Sequence, residues 1–161
     1  MVTSDAHEGL GAARRSIFGS IPWQRCHFHL QQNAGAYVPR QSMRAEVAAE
    51  IRSIFNAPDR SEAEKYLQMM IQKYAKSAPR LSAWLEANLA EGFTVFSFPT
   101  KHRRFIRTTN SLERVNREVR RRTRVVGIFP NEASCLRLIS AILMETSEKW
   151  QIGRRCCLDG N

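Results

Sequence analysis

VTSDAHEGLGAARRSIFGSIPWQRCHFHL, residues Val2 to Leu30, decides whether this chain is all helical or carries a sheet. Met1 to Thr3 reads as the end of a strand, and SDAHEGL turns it into a helix from about Glu8 to Phe18. Gly19 and Pro22 bracket the turn that follows. Trp23 to Leu30 then alternates loosely between apolar and polar residues and reads as a second strand. Two short strands around a helix make the fold α+β. A strand pairs well at about five residues, and the chain supplies fewer before its first turn. The opening therefore reads as cut from a larger sheet.

Outward from this segment the pattern is helical. Met43, Val47, Ile51 and Ile54 keep helical spacing, and Asn56–Ala57–Pro58 ends that run. Ser61 is placed to cap the next helix, with Glu64 completing a capping box. Tyr66, Leu67, Met70, Ile71 and Tyr74 carry that helix to the break near Pro79. Leu81, Trp84, Leu85 and Leu89 mark a third helix ending at Gly92, and Phe93 to Phe98 reads as a short strand or an extended linker closed by Pro99. Asn110 starts a basic helix that runs to about Val125, and Gly127 to Pro130 interrupts it. Asn131 is placed to cap a last helix ending near Trp150. The tail beyond it has no periodicity and is expected to be disordered.

The 161 residues suffice for one modest domain with its own core. There is no run of about 18 apolar residues to cross a membrane, and no charged start followed by an apolar stretch of the signal-peptide kind. The expectation is a cytoplasmic, nucleoid-associated protein. Cys26, Cys135, Cys156 and Cys157 suggest no disulfide framework.

Charge is more informative. The net charge is +10, and between Lys101 and Arg124 ten Lys or Arg residues face two acids, Glu113 and Glu118. Most of the excess thus lies on one short segment, the footprint of polyphosphate binding. On a helical wheel Leu112, Val115 and Val119 form a narrow stripe expected to face a core. Glu113, Arg117, Arg120 and Arg124 share another face. Arginine forks suit phosphate oxygens, and a carboxylate is a hard ligand for Mg²⁺ or Mn²⁺. Asn110 and Glu113 also have capping-box spacing, and Glu113 and Arg117 that of an ordinary surface ion pair. Alone, this helix supports nucleic-acid binding and leaves catalysis open.

Asp5 stands just past the first strand, where a carboxylate is rigidly held for metal binding, although turn capping is its commoner role there. WQRCHFHL contains Cys26-x-x-His29, half of a zinc site, with His102 the sole distant candidate of clear local context. A strand would send Cys26 and His29 to opposite faces and His27 and His29 to one.

VTSDAHEGL, IPWQRCHFHLQQN, FPTKHRRFIRTTNSLERVNREVRRRTRVVGIFPN and the closing helix to EKW resemble, in this order, the C-terminal part of Mutator-type DDE transposases of bacterial insertion sequences. The resemblance spans nearly all of Met1 to Trp150, matching in the helical middle more in spacing than in detail. It implies a partial ribonuclease H-like fold, mostly helical, with an all-helical insertion. Residues 1–32 are then the C-terminal strands and helix of the core, and 33–98 the insertion. Residues 99–150 hold the catalytic-Glu helix and closing helix, and 151–161 a disordered tail.

In such enzymes three acids hold two Mg²⁺ or Mn²⁺ ions that activate water or a DNA 3′-hydroxyl. The second Asp of that triad maps onto Asp5 and the Glu onto Glu113, with the family's spacing between them. The family's basic residue two turns after the Glu maps onto Arg120, and its Cys-x-x-His signature onto Cys26 and His29. The first Asp falls in strands upstream of this sequence, so the chain is expected to be inactive alone. The implied partner is DNA, both transposon ends and target, with a second copy or an intact transposase as a further partner and no membrane. Arg103, Arg104, Arg107, Asn110, Arg114, Arg117, Arg120, Arg121 and Arg124 are the expected DNA contacts. The alternatives are a non-catalytic DNA-binding remnant and a zinc-stabilised interaction module centred on Cys26 and His29.

Overall fold

The computed structural model describes residues 1–158, with side chains described through Ile152. β1 (Val2–Ser4) and β2 (Trp23–Arg25) pair in parallel, Val2 opposite Trp23 and Ser4 opposite Arg25. Parallel pairing needs a crossover, and α1 (Glu8–Phe18) supplies it. Its first turn is capped by His7, whose Nδ1 accepts from the Gly9 amide at 3.2 Å. The described chain is otherwise helical, so the architecture is α+β and mostly α.

The second strand is shorter than its sequence suggests. It stops at Arg25, and α2 (His27–Gly35) occupies the rest of the expected strand and continues past residue 32. The reason is lack of a partner: β1 ends at Ser4, whose carbonyl takes the Cys26 amide. The next amide, of His27, goes to the Arg107 carbonyl at 3.0 Å, and Leu30 already donates back to Cys26. His27, Leu30 and Ala34 then bury one helical face.

α3 (Arg44–Phe55), α4 (Arg60–Ser77) and α5 (Pro79–Asn88) pack with α2 around Leu30, Val47, Ile51, Ile54, Leu67, Met70, Leu81, Leu85 and Phe93. The cap of α4 is Asp59, not Ser61. Its Oδ1 accepts from Glu62 N at 2.9 Å, while Glu64 pairs with Arg60. The same spacing recurs two residues earlier than expected, at an Asp with extended backbone. Pro79 opens α5 at a position where its missing amide costs nothing.

Phe93 to Phe98 forms neither strand nor extended linker. Leu89–Gly92 and Thr94–Ser97 are 3₁₀ turns. Their main-chain groups are taken by side chains from the sheet: Gln24 donates to Gly92 O and accepts from Val95 N, each at 2.8 Å. Gly92 has to be glycine, because a Cβ there would stand 2.8 Å from both Leu30 Cδ1 and Phe55 Cε1.

The chain divides into two units, Met1–Thr109 and a second beginning at Asn110. A short helix, α6 (Thr100–Ile106), therefore belongs with the first unit. The second unit holds α7 (Asn110–Val126) and α8 (Glu132–Leu158). Gly127, with φ of 73°, ends α7 in the left-handed region that glycine enters without strain. Asn131 caps α8 as expected, accepting from Ser134 N at 2.9 Å.

α8 continues past Trp150, so residues 151–158 are helical rather than disordered. That stretch has no proline and a single glycine, and extending an existing helix costs far less than starting one. Residues 159–161, covered by the same expectation, lie outside the described residues. No helix among the described residues is long and apolar enough to cross a membrane.

Candidate nucleic-acid interface and its acidic residues

Asp5 follows β1 and is half-buried. One carboxylate oxygen, Oδ1, accepts from His7 N at 3.1 Å, the turn-capping role its position favours. The strand end beneath it is braced, since Trp23 Nε1 donates to Ser4 Oγ at 2.9 Å.

The end of the sheet is tied to residues 106–109. Thr3 Oγ1 donates to Ile106 O at 2.6 Å, and His27 N to Arg107 O at 3.0 Å. Cys26, fully buried, receives both the amide of Thr109 at 3.4 Å and its hydroxyl at 3.5 Å on its sulfur. The Cys of the Cys-x-x-His pair thus has a structural use, and His29 lies on α2 rather than on a strand. Cys26 and Cys135 are free thiols. Among the described residues no group of three or more His, Cys, Asp or Glu side chains is placed to hold a metal ion.

His27 is the most perturbed group in this region. Its ring stacks on Phe55 with centroids 3.7 Å apart, and its Nε2 lies 2.7 Å from Gly92 O. Burial pulls its pKa down to about 4, outweighing the Gly92 bond that favours the charged ring, and the Arg107 charge adds to the fall. At neutral pH it is an uncharged donor.

α6 has two faces. Arg103 and Arg107, one turn apart, point into the first unit. The Arg103 guanidinium donates to the carbonyls of Phe98 (2.8 Å), Pro58 (2.8 Å) and Phe96 (3.3 Å). Arg107 Nη1 donates to Asn56 Oδ1 at 2.8 Å. Two of the expected DNA contacts therefore spend donors on the protein itself. Lys101, Arg104 and Phe105 lie on the exposed side, with the Arg104 guanidinium 4.5 Å from the Phe105 ring centre.

In the second unit Val115 is buried and Val119 half-buried, but Leu112, expected in the same core stripe, is 57% exposed. Within its unit α7 has only α8 to pack on, and the narrow seam between them begins after the first turn of α7. Glu118 binds Arg121 (2.8 Å) and Arg122 (2.7 Å), and Arg122 continues to Glu145 on α8 at 3.1 Å. The Arg121 bond, then the Arg122 bond, hold the Glu118 pKa down at about 2, so this pairing persists at any working pH.

Arg114, Arg117, Arg120 and Arg124 are exposed and make no ion pair among the described residues. Asn110 is exposed at the start of α7, and Glu113 is half-buried in its first turn. The sequence reading placed Arg117, Arg120 and Arg124 on one face of this helix together with Glu113. It missed the two-faced character of α6, whose only sequence trace is the one-turn spacing of Arg103 with Arg107 and of Lys101 with Phe105.

Residues 1–153 match the family model described as transposase, Mutator family. The chain is 55% identical over 154 residues to the transposase for insertion sequence element IS406 of Burkholderia multivorans, covering 96% of this chain and 40% of that protein. It is 39% identical to the transposase for element ISRM5 of Rhizobium meliloti, covering 96% of this chain and 39% of the relative. It is 35% identical to the transposase for IS256 in transposon Tn4001 of Staphylococcus aureus, covering 93% and 38% respectively. The chain thus spans about two fifths of the length of these relatives.

Proposed function

The chain belongs to the Mutator family of transposases, and from that premise we propose that it is a DNA-binding segment of a transposition enzyme. The observation that carries this reading is α7, where Arg117, Arg120 and Arg124 on one face, and Arg114 beside it, make no ion pair among the described residues while Glu118 occupies their neighbours. Unpaired guanidinium groups on one rigid helix suit the phosphate backbone, of transposon ends and of target alike, and carry little sequence information.

Asp5 and Glu113 are the proposed acids of a ribonuclease H-like centre. An Asp directly after the first strand of a parallel strand–helix–strand unit supports that assignment for Asp5. As hard oxygen donors the two suit Mg²⁺ or Mn²⁺. Two carboxylates are fewer than a two-metal site needs, and among the described residues no group of three or more His, Cys, Asp or Glu side chains is placed to hold a metal ion. This chain alone is proposed to be inactive. Cys26 is proposed to brace the segment leading to α7 rather than to bind zinc.

The test is salt-dependent binding to a duplex. Affinity should fall steeply with salt, and each of R117A, R120A and R124A should lower the slope of log K against log salt by about one. Binding indifferent to salt would overturn the reading. So would, for the inactivity, metal-dependent strand cleavage by the chain that E113A abolishes.

A further inference from the structure

We infer that Phe105, on the outer face of α6, is a stacking platform for an unpaired base of the bound DNA; this rests on the DNA-binding reading above. An isolated exposed apolar side chain is ordinary, but this one has particular surroundings. Phe105 is 52% exposed with the Arg104 guanidinium set 4.5 Å from its ring centre. Lys101 precedes it by one helical turn on the same exposed side of α6, and the cation placed at the ring itself is Arg104. An apolar protein partner gains little from such a rim. A nucleobase brings a π-face for the ring and a phosphate for the cations, and stacking of this kind tolerates any base.

The platform is also rigid. α6 is clamped from behind by the bonds of Arg103 to the carbonyls of Phe98, Pro58 and Phe96, and by Arg107 to Asn56. Thr3 Oγ1 holds the Ile106 carbonyl at 2.6 Å, one residue beyond the ring. A short helix fixed on one face and offering an aromatic ring with a guanidinium beside it on the other is suited to hold a base that has left its duplex. Strand cleavage and transfer expose such bases wherever ends fray or strands are distorted.

The experiment uses the full chain and two duplexes of one sequence containing 2-aminopurine, one fully paired and one with the 2-aminopurine unpaired. The unpaired probe should bind more tightly, by about tenfold, and its fluorescence should be quenched on binding. F105A should remove the quenching and the preference while leaving affinity for the paired duplex unchanged, and F105W should retain both. Circular dichroism melting of F105A and F105W verifies that each is folded. Equal quenching in wild type and F105A, or no preference with duplex binding intact, overturns the platform alone. Loss of self-association in F105A, with quenching unchanged, assigns the face to a second copy and also overturns it. Failure of the wild type to bind the paired duplex removes the DNA-binding reading and the platform with it.

Discussion

The Cys26 sulfur accepts two hydrogen bonds from Thr109, one from its amide at 3.4 Å and one from its hydroxyl at 3.5 Å. Sulfur is a weak acceptor, and Cys26 is fully buried. Asn110, the next residue in the chain, opens α7. The end of the sheet thus fixes the last residue of the first unit.

Removing that acceptor should cost about 1 kcal/mol, the net worth of an ordinary intramolecular hydrogen bond. C26A should therefore lower the urea midpoint and speed hydrogen exchange at the Thr109 amide. C26S, which keeps an acceptor, should lose less. Unchanged exchange at Thr109 in C26A would show that the sulfur does not hold it.

His27 should make stability depend on pH. Its folded pKa of about 4 lies below the ordinary histidine value of 6.5, so between these values the unfolded chain binds a proton that the folded chain does not. Stability is then complete above about pH 6.5 and falls as pH drops toward 4, by roughly 3 kcal/mol in all. Below that the folded ring protonates too and the dependence levels off. H27F keeps an aromatic ring against Phe55, and Gln24 still bonds the Gly92 carbonyl. Denaturation midpoints measured from pH 4 to 7 should lose this component in H27F; an identical slope would place the titration elsewhere.

The difference between local and distant causes explains how much of this was legible in the sequence. α3, α4 and α5 announce themselves through their own apolar spacing, and α7 and α8 through Asn110, Gly127 and Asn131, all within a turn of the feature they mark. The end of β2 does not, because His27 turns helical only where its amide meets Arg107, far along the chain. The 3₁₀ turns after Asn88 depend in the same way on Gln24. Of the basic residues, the ladder on α7 was readable as periodicity. That Arg103 and Arg107 point inward was not, since their acceptors are Pro58, Phe96, Phe98 and Asn56.

Gly92 should tolerate no side chain. A methyl group at its Cα would sit 2.8 Å from Leu30 Cδ1 and Phe55 Cε1 and 3.2 Å from the His27 ring. All three neighbours belong to the packed interior, so G92A should destabilise by about 1–3 kcal/mol through overpacking. Calorimetric melting checks this, and a Tm equal to wild type would mean that the 3₁₀ turn shifts freely.

Glu118 sets how much of the α7 charge is available. It holds Arg121 and Arg122, and its pKa near 2 means that lowering pH within any working range does not release them. E118Q should therefore free cations beside Arg117, Arg120 and Arg124 and tighten duplex binding, most at low salt where phosphate attraction is least screened. The slope of log K against log salt should steepen by about one for each arginine that turns to the DNA. Arg122 keeps its bond to Glu145, so it should stay on the α8 side and Arg121 should account for the gain. The double variant E118Q/R121A then separates the causes. Return to wild-type affinity identifies Arg121 as the released contact, while affinity still above wild type would mean that the lost negative charge acts through the field of the whole helix.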